Sequence, residues 1–176
     1  MPAVQEQHLV TQTIQMLKDH LQEFFDDIGF VRTIPDPTYG YSSDPSVFAR
    51  DSPDCIQVWC DSVEPAGFYQ TKGAHNELNK LGILYVYTSF KQDMGDYKRK
   101  IGESIRTCVK TYWPSYYTRA LNPVRTRMDY RFSSYGMTGG SRRGLVGSPT
   151  ERGHNKEAVL CGVDVIRREF VDPFLG

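Results

Sequence analysis

Residues 81–90 form the most apolar stretch of the sequence and read L-G-I-L-Y-V-Y-T-S-F. Almost every side chain in this run is apolar, β-branched or aromatic, which is typical of β-strands. A strand without regularly alternating polar residues is covered on both of its faces. The run therefore predicts the central strand of a sheet, which the remainder of the chain must flank and cover.

Two segments carry the apolar spacing of amphipathic helices. In residues 10–28 apolar side chains recur every three or four positions, and Gly29 stands where a helix C-cap is expected. Residues 93–113 repeat this spacing, with Asp93 as the expected N-cap and Pro114 as the expected end. Both segments are predicted to pack on the sheet through their apolar faces.

Further strands are expected at 30–34, 55–61, 124–132 and 158–166. The resulting order is helix, strands, helix, strands. This order predicts an α+β fold: a single mainly antiparallel β-sheet with two amphipathic helices packed on one face.

Residues 133–157 separate the last two predicted strands and are rich in glycine, serine and arginine. Glycine-rich backbone loses much conformational freedom when it becomes ordered. Structureless loops of this length inside compact domains are usually functional or disordered. We therefore predict one domain over residues 1–176 with a long flexible loop at 133–157 that contacts a partner surface.

Positive and negative charges cancel overall but are separated along the chain. Residues 19–64 contain ten acids against Arg32 and Arg50, whereas residues 119–152 contain seven arginines against two acids. Two solvated surfaces of opposite sign would account for this pattern. A subunit with an acidic and a basic side, suited to head-to-tail contact in a ring, would account for it equally.

The arginines of the basic half fall into a strand group and a loop group. A phosphate-contacting surface would use such a set, but zero net charge and the acidic N-terminal half argue against a dedicated DNA-binding protein. Arginine is also enriched in protein interfaces. We predict that six residues form a partner or oligomer interface: Arg125, Arg127, Arg131, Arg142, Arg143 and Arg152.

Common catalytic and metal-binding motifs are absent from the sequence. It has no phosphate-binding glycine loop, no G-x-S-x-G and no H-E-x-x-H. The histidines at positions 8, 20, 75 and 154 are dispersed and predicted to be solvated. The cysteines at 55, 60, 108 and 161 lack zinc-ribbon spacing and are predicted to be reduced, buried thiols. We expect no catalytic residue, cofactor or metal.

One enzymatic alternative remains. Pro53 and Asp54 precede a strand, and Gln70 and Lys72 follow a plausible hairpin, which resembles a degenerate PD-(D/E)xK nuclease core. Such a core binds Mg²⁺ through carboxylates and uses lysine to activate water. Asp54 begins its strand instead of ending beside a metal site, and Gln70 replaces the second carboxylate. An Mg-dependent nuclease using Asp54 and Lys72 is the rival hypothesis.

Membrane insertion and export are not expected. No apolar run approaches the ~20 residues that span a bilayer. Residues 1–10 lack the basic and apolar regions of a signal peptide. We expect a soluble intracellular protein without a membrane partner.

The order of elements resembles that of the tail-terminator (tail-completion, head–tail joining) proteins of long-tailed bacteriophages. The resemblance rests on the helix at 10–28, the strands at 55–61 and 81–90, the helix at 93–113 and two strands around a long loop. It covers most of the chain and is architectural.

This resemblance implies a structural role. Members of that family are non-enzymatic and form hexameric rings that stop tail-tube polymerisation and join the tube to the head connector. It implies a virion protein, assembled in the host cytoplasm, whose partners are its own copies, the tail tube protein and the connector or stopper. Genomic DNA would pass through the ring lumen. Another neck protein, such as a stopper or connector, is the structural alternative.

Overall fold

The computed structural model describes residues 2–30, 32–40, 53–65, 74–89, 95–117, 120–131 and 155–170. In chain order the elements are α1 (Pro2–Asp27), β1 (Thr38–Tyr39), β2 (Cys55–Pro65), β3 (Ala74–Ser89), α2 (Gly95–Tyr116), β4 (Ala120–Arg131) and β5 (Asn155–Phe170). The strands form one sheet in the order β1-β2-β3-β5-β4, and only the β1–β2 pair is parallel. The predicted α+β fold, with one mainly antiparallel sheet and two helices on one face, is confirmed.

Strand β3 is central, as the apolar run predicts. Residues 81–87 are all buried. β3 pairs with β5 without interruption from Ala74↔Phe170 to Ser89↔Asn155, and with β2 on its other side. This pairing extends β3 seven residues before the apolar run, into a polar stretch that composition alone does not identify as strand.

The two helices cover the same face of the sheet. α1 packs against α2, β1 and β2, whereas α2 packs against α1, β4 and β5. Alternate strand residues face them and join the helices in one core, which includes Val58, Ile83, Tyr85, Cys161 and Val163. In β3 and β5 these inward positions are odd-numbered, and in the first half of β2 they are even-numbered.

The opposite face of the sheet carries a second apolar cluster. Trp59, Leu84, Val86 and Ala158 are buried there. Gly82 lies in register with Trp59 on the adjacent strand. A side chain at position 82 would overlap the indole ring, so only glycine leaves room for the tryptophan.

The C-terminus of α1 is closed by the predicted glycine cap. Gly29 has φ 72°, its N–H donates to the Asp26 carbonyl at 3.0 Å, and the Phe30 N–H donates to the Phe25 carbonyl at 3.0 Å. These two bonds form a Schellman motif. The Phe25 and Phe30 rings meet edge to face, with centroids 5.4 Å apart. The strand predicted at 30–34 was wrong because the chain leaves this cap without pairing to the sheet until Thr38.

The buried face of α1 is broader than the predicted stripe. Leu17 and Leu21 are fully buried as expected, but so are Leu9, Met16 and Phe25. Of the stripe residues, Ile14, Phe24 and Ile28 are only partly buried against the core. The buried face of α1 differs from the predicted stripe because α1 contacts α2 as well as the sheet.

Two predicted boundaries were also wrong. Pro114 does not end α2, which continues to Tyr116, and the Tyr117 N–H donates to the Trp113 carbonyl at 2.8 Å. Proline lacks an N–H for helical bonding and its ring crowds the carbonyl four residues earlier, yet α2 continues for two residues beyond Pro114, which is exposed. Residues 155–157 belong to β5 rather than to the predicted 133–157 loop, because they pair with the end of β3. Residues 132–154 lie outside the described part of the chain.

Candidate assembly interface

Strand β4 is an edge of the sheet and carries three of the six predicted interface arginines. Arg125 is in register with Asp164, Arg127 with Gly162 and Arg131 with Ala158. Thr126 alternates with these positions, and its hydroxyl accepts a hydrogen bond from Arg106 Nε of α2 at 3.0 Å. Thr126 therefore belongs to the helix face, and the three arginine positions share the opposite face. Among the predicted interface residues, Arg142, Arg143 and Arg152 lie outside the described ranges.

A buried ion pair fixes the start of β5. Glu157 is paired with Lys98 in α2, and their side chains are 7% and 1% exposed. Burial lowers the pKa of Lys98, and the hydrogen bond and charge of Glu157 oppose this shift. Since burial of either charge alone is costly, the pair ties β5 to α2 immediately after residues 132–154.

A second ion pair lies at the same end of the sheet. Arg32 Nη1 lies 3.2 Å from Asp54 Oδ2, and Asp54 Oδ1 accepts a hydrogen bond from the Thr88 N–H at 2.9 Å. The Arg32 guanidinium also lies over the Phe30 and Tyr87 rings, at 5.5 and 5.6 Å from their centroids. Asp54 thus joins the start of β2 to the end of β3.

These contacts bear on the nuclease hypothesis. Both carboxylate oxygens of Asp54 already have partners, while Gln70 and Lys72 lie outside the described residues. No group of three or more His, Cys, Asp or Glu side chains that could hold a metal ion occurs in the described parts of the chain. The geometry around Asp54 is that of a structural ion pair.

A network between α1 and α2 was missed by the sequence analysis. His20 is half-buried rather than solvated, and its ring stacks on Tyr112 with centroids 3.6 Å apart. His20 Nδ1 lies 3.2 Å from Glu23 Oε1, and Nε2 lies 2.9 Å from the Tyr116 hydroxyl. Tyr112 donates to Glu23 at 2.9 Å and Tyr116 to Asp19 at 2.7 Å. The i,i+3 spacing of His20 and Glu23 was visible in the sequence, but their tyrosine partners are far away in it.

The tyrosine hydroxyls fix the direction of the bonds to the carboxylates of this network. Each tyrosine donates its only proton to a carboxylate, so the Tyr116 oxygen can only accept from His20 Nε2. His20 Nδ1 faces the Glu23 carboxylate. The bond from Tyr116 lowers the pKa of Asp19, and in return the bond to Asp19 raises the pKa of Tyr116 to about 12.

Charge in the described residues is separated across the sheet. α1 contains five acids and one lysine, whereas α2 contains five bases and two acids. The exposed acids on the side of α1 and β2 are Asp19, Glu23, Asp26, Asp27, Asp61 and Glu64. The exposed bases of α2 are Arg99, Lys100 and Lys110. Because α1 covers β1 and β2 and α2 covers β4 and β5, the acid-rich and base-rich helices lie over opposite halves of the sheet. The two charge types meet where the helices touch, since Asp27 of α1 lines a pocket with Arg99 and Lys100 of α2.

The cysteines are partly as predicted. All four are free thiols; Cys108 and Cys161 are buried, whereas Cys55 and Cys60 are only partly buried. Burial raises the pKa of Cys108 to about 12, which keeps this thiol protonated. Neither helix, in the ranges described, has a stretch that is long and apolar enough to cross a membrane.

No protein-family model matches the chain, and no curated protein matches it. The resemblance to tail terminators therefore stays a prediction based on the order of elements.

Proposed function

We propose that this chain is a structural protein of the phage neck, namely the tail terminator, which caps the tail tube as a ring and joins it to the head connector. One observation carries the proposal: the acid-rich helix α1 and the base-rich helix α2 lie over opposite halves of the sheet. Heterologous contacts between different patches of successive copies close into rings when the rotation between copies permits. Complementary charge favours that head-to-tail orientation over pairing of like sides.

The positions of the predicted interface residues support this role. Arg125, Arg127 and Arg131 occupy the edge strand, and residues 132–154, with the other three arginines, connect this strand to β5. The segment re-enters the fold beside the buried Lys98–Glu157 pair. A contact segment fixed to a rigid part of the fold can order on a neighbouring subunit, the tail tube or the connector.

Tail-tube capping tests the proposal. Purified protein is mixed with polymerising tail tube protein and viewed by negative-stain electron microscopy. We expect ring-shaped particles at the ends of tubes whose growth has stopped, with a lumen wide enough for DNA. Tubes that grow unchanged and carry no ring would contradict the proposal. Mg²⁺-dependent nicking of plasmid DNA that is lost in Lys72→Ala would instead support the nuclease.

A further inference from the structure

Two tyrosines of β3 place polar groups inside the core. Tyr85 and Tyr87 are both 0% exposed and belong to the core cluster on the helix side of the sheet. Neither hydroxyl has a hydrogen-bond partner among the described residues. Buried hydroxyls in native proteins nearly always have a partner, which is either a protein group or an ordered water. The two hydroxyls therefore indicate a small ligand that pairs with them.

The two tyrosine rings are stacked on each other. Their centroids are 5.0 Å apart, with 22° between the ring planes. Both side chains leave the same face of β3, because they are two residues apart in a strand. Phe25 and Phe30 at the end of α1 pack against these rings. Two hydrogen bonds of about 2.8 Å through one water span about 5.6 Å, so one small molecule can reach both hydroxyls.

Tyr87 lies between the two ion pairs of this end of the sheet. On one side it is in register with Glu157 of β5, which is paired with Lys98. On the other side the Arg32 guanidinium, which is paired with Asp54, lies 5.6 Å from the centroid of the Tyr87 ring. A carboxylate and a cation therefore flank Tyr87 on each side.

This combination of groups selects a neutral ligand. A small anion would meet two carboxylates, and a small cation would meet Arg32 and Lys98. A carboxylate offers about four lone-pair positions, so the bonds that Asp54 accepts from Arg32 and from the Thr88 N–H do not saturate it. Water donates to a carboxylate and accepts from a hydroxyl, which is the pairing that this site needs.

Both tyrosine hydroxyls keep their protons. Burial raises the pKa of Tyr85 and of Tyr87, and the charge of Asp54 adds to the shift of Tyr85 as that of Glu157 does to the shift of Tyr87. Each hydroxyl therefore has one proton to donate and can also accept.

We propose that the Tyr85 and Tyr87 hydroxyls together form an internal binding site for an ordered water, which connects them to the Asp54 and Glu157 carboxylates. Internal water typically makes about three hydrogen bonds to buried polar groups, and this site supplies two hydroxyls and two carboxylates. The water joins the starts of β2 and β5 to the end of β3 through one polar network. Its presence does not depend on ring assembly.

Removal of each hydroxyl tests the site, because the sign of the effect differs between a hydrated and a dry hydroxyl. With water bound, Tyr85→Phe or Tyr87→Phe loses a hydrogen bond, so the midpoint of urea denaturation should fall by about 0.5 M. Removal of a dry, unpaired hydroxyl would leave the midpoint unchanged or raise it. That result in either variant would overturn the proposal. The matched control is Tyr39→Phe, since Tyr39 is 55% exposed, and its midpoint should be unchanged.

The double variant tests whether the two hydroxyls share one water. Tyr85→Phe with Tyr87→Phe should lower the midpoint by less than the sum of the two single falls, because both substitutions remove bonds to the same molecule. Additive falls would show two separate sites and would overturn the shared one.

A crystal structure of the full chain tests the site without any variant. One ordered water should lie about 2.5–3.0 Å from both hydroxyl oxygens. The absence of a water bonded to both hydroxyls would overturn the proposal, including the case in which they pair with protein groups instead. Neither the urea midpoints nor this structure involves tail tubes or rings, so a negative result here leaves the proposed function standing.

Discussion

At the residue scale, the buried Lys98–Glu157 pair is the clearest stabilising contact beside the interface segment. Lys98→Ala leaves the Glu157 carboxylate buried without its counter-charge. Loss of one partner of a buried ion pair costs roughly 3–5 kcal/mol, so the free energy of unfolding should fall by about that amount. Urea denaturation followed by circular dichroism measures the loss.

A double variant is the matched control for this prediction. Lys98→Met with Glu157→Leu removes both charges and keeps apolar volume, so it should destabilise the protein less than Lys98→Ala does. If the double variant is the less stable of the two, the pair does not have the role assigned to it.

The hydrogen bond of Tyr116 predicts a pH dependence of the free energy of unfolding, also at the residue scale. Its pKa is raised from 10.0 to about 12 by the hydrogen bond to Asp19. The folded protein retains this proton at a pH where the unfolded chain has lost it. The contribution of Tyr116 to stability is therefore fully present below pH 10 and is lost as the pH rises from 10 toward 12. Tyr116→Phe should show a shallower fall in unfolding free energy over this range than the wild type, and equal slopes would contradict the assignment.

At the element scale, patterns within a single segment were sufficient to predict the elements whose structure depends mainly on the residues of that segment. The apolar run identified β3, helical spacing identified α1 and α2, and Gly29 marked the end of α1. Polar strand residues were missed because tertiary partners decide their structure. Glu157 was predicted to lie in a loop, but it belongs to β5 and its side chain pairs with Lys98 of α2. Strand β1 has only two residues, which is too short to show the alternation of a strand.

Gly82 is a test of how β2 packs beside β3. A methyl group at this position would overlap the Trp59 indole, and overpacking of this kind costs about 1–3 kcal/mol. Gly82→Ala should therefore lower the free energy of unfolding and shift the tryptophan fluorescence. In a Trp59→Leu background the same substitution should cost less. An equal cost in both backgrounds would show that the indole is not what excludes a side chain.

At the scale of the whole molecule, the sequence predicted opposite charges but not their arrangement. The acids of residues 19–64 and the arginines of residues 119–152 could have been interleaved on one surface. Among the described residues of these ranges, the acids lie in and next to α1 and β2, whereas Arg125, Arg127 and Arg131 belong to β4, at the other end of the strand order. The register of β4 could not be read from the sequence either, since it depends on the pairing with β5.

Separated charge predicts salt-sensitive assembly. Ring formation should weaken as ionic strength rises from about 0.1 M to about 1 M, because the Debye length falls from about 10 Å to about 3 Å. Mass photometry across this range measures the fraction of rings. Rings that become more stable with salt would indicate an apolar interface instead.

The arginines of residues 132–154 give a prediction of partner binding. Arg142→Glu with Arg143→Glu should leave the subunit folded, with an unchanged melting temperature, but unable to join its partners. Co-sedimentation with tail tubes measures the loss. Unchanged co-sedimentation would show that these two residues are not contact residues.

The mass of the purified chain in solution tests the central claim most directly, because function by assembly requires a closed oligomer. Native mass spectrometry at low salt should show one dominant species at a whole multiple of the 20.1 kDa subunit, with six copies expected from the resemblance to tail terminators. A species of 20.1 kDa alone at every concentration would contradict the account.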